Sequence, residues 1–220
     1  MRNKAFRALV LVAAAAGVAA AAEVAWVTST GGCTFPCSGD VAAITDDVDR
    51  VTAAYRLTWR DNASRAVVDF VEVDLYSWEV HCAKIKNRLR GYDFPPAALE
   101  RAARAQGPLF PLTLVFYVTV GAYDLSAAEL PNAEEWEVYL RRDGERQLPL
   151  RLSAVEGPYV PYNKKLALDP ASGESRARDY FRKTYEVTFA NEYEADPPAA
   201  IELVVAGRDA ACGFAWRFEE

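Results

Sequence analysis

Residues 135–152 read EWEVYLRRDGERQLPLRL. Trp136, Val138 and Leu140 alternate with Glu137, Tyr139 and Arg141. Beyond Asp143-Gly144, Leu148, Leu150 and Leu152 alternate with Gln147, Pro149 and Arg151. A period of two sends successive side chains to opposite faces of a strand. Asp-Gly between two such runs favours a type I′ turn, because both central residues need positive φ. The stretch predicts a β-hairpin that buries Trp136, Val138, Leu140 and the three leucines and leaves Tyr139 wet. It fixes a fold class and carries no catalytic signature.

The same period recurs on both sides. Phe110, Leu112, Leu114, Phe116, Val118 and Val120 alternate with Pro111, Thr113, Val115, Tyr117 and Thr119, the strongest strand in the chain. Residues 121–133 read as an irregular connection. Toward the C-terminus, Tyr185, Val187 and Phe189, then Ile201, Leu203 and Val205, then Phe214, Trp216 and Phe218 make three more strands, with Gly207-Arg208-Asp209 as a turn. Short alternating strands without long intervening helices predict a mainly β chain: an antiparallel, immunoglobulin-like β-sandwich with one or two short helices. Glu156–Arg182 stands out as a long polar insertion bearing Tyr159, Tyr162, Tyr180 and Phe181. Long connections often carry binding.

Upstream, the alternation is less regular. Residues 66–85 read as one long strand whose buried parity shifts from Val67, Val71, Val73 and Leu75 to Tyr76, Trp78, Val80 and Cys82, which calls for a bulge or break near 74–76. Residues 53–60 alternate as a strand, whereas Val41, Ile44, Val48 and Val51 keep helical spacing behind a cap at Asp40, so 51–60 is open between the two. The acidic cluster Asp46, Asp47 and Asp49 reads as the wet side of that helix. Lys84–Arg90 is the most basic run and reads as a solvated strand end or a polyanion contact. Pro95-Pro96, an alanine-rich run and Gly107-Pro108 bracket a short helix.

The start of the chain has its own logic. Arg2, Lys4 and Arg7 precede an uncharged run, Ala8–Ala22, of about 15 residues, the length of a secretory h-region and short for a membrane span. Residues 1–22 read as a cleaved signal peptide, 23–39 as an N-terminal tether and 40–220 as a single sandwich domain, exported to the periplasm or cell envelope with no transmembrane span after cleavage. A retained anchor and a lipid on Cys33 are the alternatives. Removing three cations from 25 Lys+Arg against 31 Asp+Glu leaves 22 against 31, a net charge of −9. That acidity argues against nucleic acid as a partner. Four cysteines in an oxidising compartment favour disulfides. The neighbours Cys33 and Cys37 pair, and the shared core parity of Cys82 and Cys212 pairs those two. A four-cysteine metal site is the alternative.

The order of features resembles an uncharacterised group of bacterial envelope proteins, often lipoproteins, with a β-sandwich core. The residues that carry the likeness are Trp59, Val115–Ala122, Trp136–Leu140 and Phe214–Phe218. The resemblance implies an envelope location and carries over no active site.

The chemistry available is narrow. His81 is the chain's one histidine, and its predicted strand parity turns it away from the core and from Cys82. No serine sits in a nucleophile elbow. Carboxylates such as Asp124, Glu134 and Glu135 leave a glycosidase-like hydrolase as one function class. The other, preferred class is a non-catalytic binding or structural module of the envelope, needing no cofactor or metal. It would contact an envelope protein or polysaccharide through Tyr159, Tyr162 and Tyr180.

Overall fold

A computed structural model describes residues 24–29, 41, 43–61, 67–106, 112–130, 136–155, 163–168, 173–193, 199–207 and 211–218. In chain order these form β1 (Ala25–Thr28), α1 (Val48–Ala54), β2 (Arg56–Arg60), β3 (Val68–Leu75), α2 (Trp78–Arg88), α3 (Pro96–Gln106) and β4 (Thr113–Ala122). There follow a 3-10 turn (Ser126–Ala128), β5 (Trp136–Arg142), β6 (Glu145–Gln147), β7 (Arg151–Ala154), β8 (Asn163–Leu168), β9 (Ser175–Ala190), β10 (Ala200–Gly207) and β11 (Ala211–Arg217).

Two sheets result. One runs β1-β11-β10-β5-β6, the other β2-β3-β4-β9-β7, with β8 paired to the far half of β9. Among the described residues all pairings are antiparallel except β1 on β11. The inner faces meet in one apolar core that includes Val73, Leu75, Phe116, Val118, Val187 and Phe189 from one sheet and Val138, Leu140, Leu203, Phe214 and Trp216 from the other. The Phe116 and Trp216 rings lie 5.5 Å apart across the interface. The chain is therefore mainly β and built of two packed sheets, as the alternation predicts.

The Asp-Gly turn is present: Asp143 takes φ 50° and Gly144 φ 84°, and Arg142 pairs with Glu145. The second arm is not the expected one. Pairing stops at Gln147, and the chain crosses to the opposite sheet, where Leu150 N–H donates to the Thr188 carbonyl. Pro149, which has no N–H to give a ladder, sits in the crossing. Leu148 and Leu150 are consequently 71% and 67% exposed. Tyr139, expected to be wet, is buried; the Arg146 guanidinium lies 4.5 Å from its ring centroid.

The largest departure is at residues 66–85. The parity shift marks the end of a strand and the start of a helix. Ser77 caps α2 by accepting from Val80 N–H, and Trp78, Cys82 and Ile85 then fall on one helical face. With Val41 and Ala103 they form a second, smaller apolar cluster beside the sandwich. Lys84–Arg88 thus belongs to a helix, not a strand end. Farther upstream, α1 begins at Val48 with Asp47 as its cap, later than the expected Asp40, and gives way to β2 after Tyr55. The segment expected as a tether contributes an edge strand, β1, whose Trp26 lies against Gly213. Three α-helices occur among the described residues, where one or two were expected.

Cys82 and Cys212 are free, buried thiols. Cys82 belongs to the helical cluster and Cys212 to the sandwich core, because residues 78–88 wind as a helix and the parity shared with β11 has no spatial meaning. The expected bond between them is absent. The leader, Cys33 and Cys37 lie outside the described residues.

Candidate functional site

On the outer face of the larger sheet, four residues stand in register across four strands: Arg60 opposite Phe70, Phe70 opposite Gly121, and Gly121 opposite Arg182. Only glycine fits the third position. A Cβ there would lie 2.2 Å from the Phe70 ring and 2.3 Å from the Tyr180 hydroxyl. The Phe70 ring lies across β4 in that gap. The Arg60 and Arg182 guanidiniums approach its centroid at 5.4 and 5.7 Å. A quadrupolar ring attracts such cations and fixes their planes.

The β3–β4 register slips between Val68 and Phe70, so Asp69 is the extra residue of a bulge. Bulges re-aim side chains. Here the carboxylate is turned toward β8 and β9, where Asp69 Oδ2 accepts from Tyr180 O–H at 3.0 Å and from Lys165 Nζ at 2.7 Å. Lys165 also lies 4.8 Å from the Tyr180 ring centroid. Tyr180 meets Tyr123 edge-on at 5.3 Å, and Arg178 covers the Tyr123 ring at 4.9 Å. Burial, followed by the bond to Asp69, pushes the Tyr180 phenol pKa well up, so it stays protonated and donates.

The charges are partly matched. Glu72 takes Arg182 at 3.4 Å and Thr58 at 3.4 Å, while Asp74 holds Arg56 through two bonds of 2.6 and 2.8 Å. Arg60 and Arg178 have no ion-pair partner among the described residues. The result is an aromatic surface edged with planar cations. It can take hydrogen-bond acceptors or carboxylates.

Of the residues expected to bind, Tyr180 belongs to this surface, and Tyr159 and Tyr162 lie outside the described residues. The insertion is partly regular: β8 and β9 form a ribbon continuous with the sheet. Sequence reading missed Asp69, Phe70, Tyr123, Lys165, Arg178 and Arg182. Gly121 gave little signal, because the alternation stops at Val120 and the glycine reads as the start of the connection 121–133, whereas β4 runs on through Ala122.

His81 is buried, not turned outward. A carbonyl only accepts, so Nε2–H donates to the Ala103 carbonyl at 2.8 Å, and Nδ1 accepts from Tyr76 O–H at 3.0 Å. Both nitrogens are engaged, one holding α2 against α3 and the other bonded to Tyr76 in the link between β3 and α2. Asp124 is a turn cap, accepting from Ser126 N–H and Oγ–H at 2.8 Å each; those bonds hold its pKa low, opposite to the need of a general acid. Glu134 and Glu135 lie outside the described residues. A concavity of about 410 Å³ opens at the Asp-Gly turn between Arg142, Arg146, Gln147 and Glu192. Its arginines are already paired with Glu192 and Glu137.

Compared with protein-family models, curated proteins and solved structures, the chain matches none.

Proposed function

We propose that this chain is a non-catalytic binding module of the cell envelope, exported by residues 1–22. Its contact surface is the aromatic and cationic face around Tyr180, Tyr123 and Phe70. The supporting observation is the Asp69 bulge: a carboxylate is turned from its strand to hold Tyr180 and Lys165, on a face where Arg60 and Arg178 have no ion-pair partner among the described residues. Rings with donors at their edges and planar guanidiniums suit the hydroxyls and carboxylates of a polysaccharide, or an acidic protein segment. On this reading the scaffold is an immunoglobulin-like sandwich that presents a face as its site. The resemblance to envelope proteins supports the location and contributes nothing to the ligand.

The test is capture. Immobilised protein is offered envelope extract and a set of neutral and acidic polysaccharides, beside the Arg178→Glu and Tyr123→Ala variants. Capture lost in both variants at unchanged melting temperature supports the surface. Capture retained in both moves the site elsewhere, and no capture by the parent protein removes the reading.

A further inference from the structure

The basic run Lys84–Arg90 has no part in the site above, and its first lysine sits apart from the others. Among the described lysines, Lys86 donates to the Ile44 carbonyl, Lys165 to Asp69 and Lys183 to Glu129, while Lys164 is exposed. Lys84 is half-buried and has no hydrogen-bond or ion-pair partner among the described residues. It reaches from α2 over the outer face of the larger sheet, into a corner made by two rings. Its Nζ lies 4.5 Å from the Tyr76 centroid and 5.4 Å from that of Tyr117, and the rings meet edge-on at 5.6 Å and 87°. Both phenols are turned to partners of their own: Tyr76 O–H donates to His81 Nδ1 at 3.0 Å, and Tyr117 O–H donates to Glu186 at 3.3 Å. The charged neighbours are committed as well. Asp74 of β3, opposite Tyr117 in the ladder, is held by Arg56 of β2 through two bonds. Glu186 of β9 takes the Tyr117 hydroxyl, and Arg88 stands one turn farther along α2. Burial outweighs the Asp74 charge and holds the Lys84 pKa below the ordinary lysine value.

A lysine partly stripped of water and free of a carboxylate is the kind that serves as an amine nucleophile. We propose that Lys84 condenses with small aldehydes to form a protonated imine lodged on the Tyr76 and Tyr117 rings. The ammonium first gives one proton to solvent. The lone pair so freed attacks the carbonyl carbon, and a C–N bond forms as the C=O π pair moves to oxygen. The two remaining N–H protons and that oxygen leave as water, and the imine nitrogen takes one proton back from solvent. No oxidant or reductant is needed. The corner suits the product as well as the reactant. The π faces that attract the ammonium also attract the iminium cation. Partial exclusion of water favours its loss and slows its return. A bound anion fits less well, because the carboxylates of Asp74 and Glu186 flank Tyr117 on either side in the ladder. Tyr117 lies four residues from Gly121 along β4, so this corner is separate from the surface around Phe70.

The experiment treats the full chain at neutral pH with limiting glycolaldehyde and cyanoborohydride, which reduces an imine to a stable secondary amine. Peptide mass mapping then follows each lysine over time. Native Lys84 should be alkylated several-fold faster than the exposed Lys164. In guanidinium chloride the two should react at one rate, because the corner is gone. Tyr117→Ala removes one wall and should bring Lys84 down to the rate of Lys164. A native Lys84 no faster than Lys164 overturns the proposal, as does a lead that persists in denaturant. A lead kept by a folded Tyr117→Ala chain overturns the assignment to the ring corner. The first two comparisons need only the parent chain, so they decide the matter even where the variant fails to fold.

Discussion

The Trp216 indole N–H donates to the Tyr55 carbonyl at 2.8 Å, joining β11 of one sheet to the chain entering β2 of the other. The same carbonyl accepts from Leu75 N–H at 3.2 Å, and the Tyr55 hydroxyl donates to Glu79 on α2 at 2.7 Å. One fully buried residue therefore gathers both sheets and a helix. Trp216→Phe should cost about 1–2 kcal/mol, mostly the lost bond, and Trp216→Ala roughly 3–5 kcal/mol through the cavity. Urea unfolding measures both; a Phe variant as stable as the parent would mean that the bond contributes nothing.

Gly121→Ala should destabilise by about 1–3 kcal/mol, because the new methyl meets the Phe70 ring and the Tyr180 hydroxyl and both must move. Adding Phe70→Leu should recover part of the loss. Failure of the second substitution to help would place the strain in the backbone and not in the ring.

Leu148→Asp and Leu150→Asp should each leave stability within about 0.5 kcal/mol of the parent, as expected of exposed sites. Leu140→Asp, in the same hairpin but fully buried, should prevent folding. Thermal melts of the three variants settle whether the chain crosses between sheets at Pro149.

Stability should fall in alkali. Burial first, then the Glu186 charge for Tyr117 and the Glu129 charge for Tyr185, raise both phenol pKa values from 10.0 to about 12. The folded state thus holds these protons more tightly than the unfolded chain does. The contribution is fully present below about pH 10 and is lost as pH climbs through about 12. Tyrosinate absorbance should lag behind that of free tyrosine until the protein unfolds, and a single ionisation near pH 10 would contradict it.

Both described thiols should be inert in the native state. Burial raises the Cys82 pKa from 9.0 to about 12 and that of Cys212 higher still. Cys212 also donates to the Val205 carbonyl at 3.3 Å. Peptide mapping after iodoacetamide should find neither alkylated until denaturant is added. Labelling of Cys82 at neutral pH would show that the helical cluster opens.

Legibility followed locality. β4, β10 and β11 could be read because their buried parity is written in consecutive alternate residues. Tyr76, Trp78, Val80 and Cys82 alternate as well, yet they span a strand end and a helix. A helix packed on two sides also buries neighbours, so Val80 faces the sandwich core while Trp78 and Cys82 face the small cluster. The Ser77 cap and the Trp78, Cys82, Ile85 spacing were the competing helical signal. The leucines after Asp-Gly misled because alternation does not say which sheet a strand joins. Tyr180 could be suspected as an aromatic in polar surroundings. The row Arg60, Phe70, Gly121 and Arg182 could not, since register across four strands is a property of pairing and leaves no mark on any one segment.

The strand β9 runs for 16 residues, with its first half in the ribbon beside β8 and its second half in the middle of the larger sheet. At about 3.3 Å per residue it is a lever roughly 50 Å long. A pull on the ribbon reaches Phe189 along one unbroken backbone and loads the ladder with β4 sideways, so that its ten register pairs bear the force together rather than opening one by one. Whatever grips the ribbon is thereby coupled mechanically to the centre of the fold.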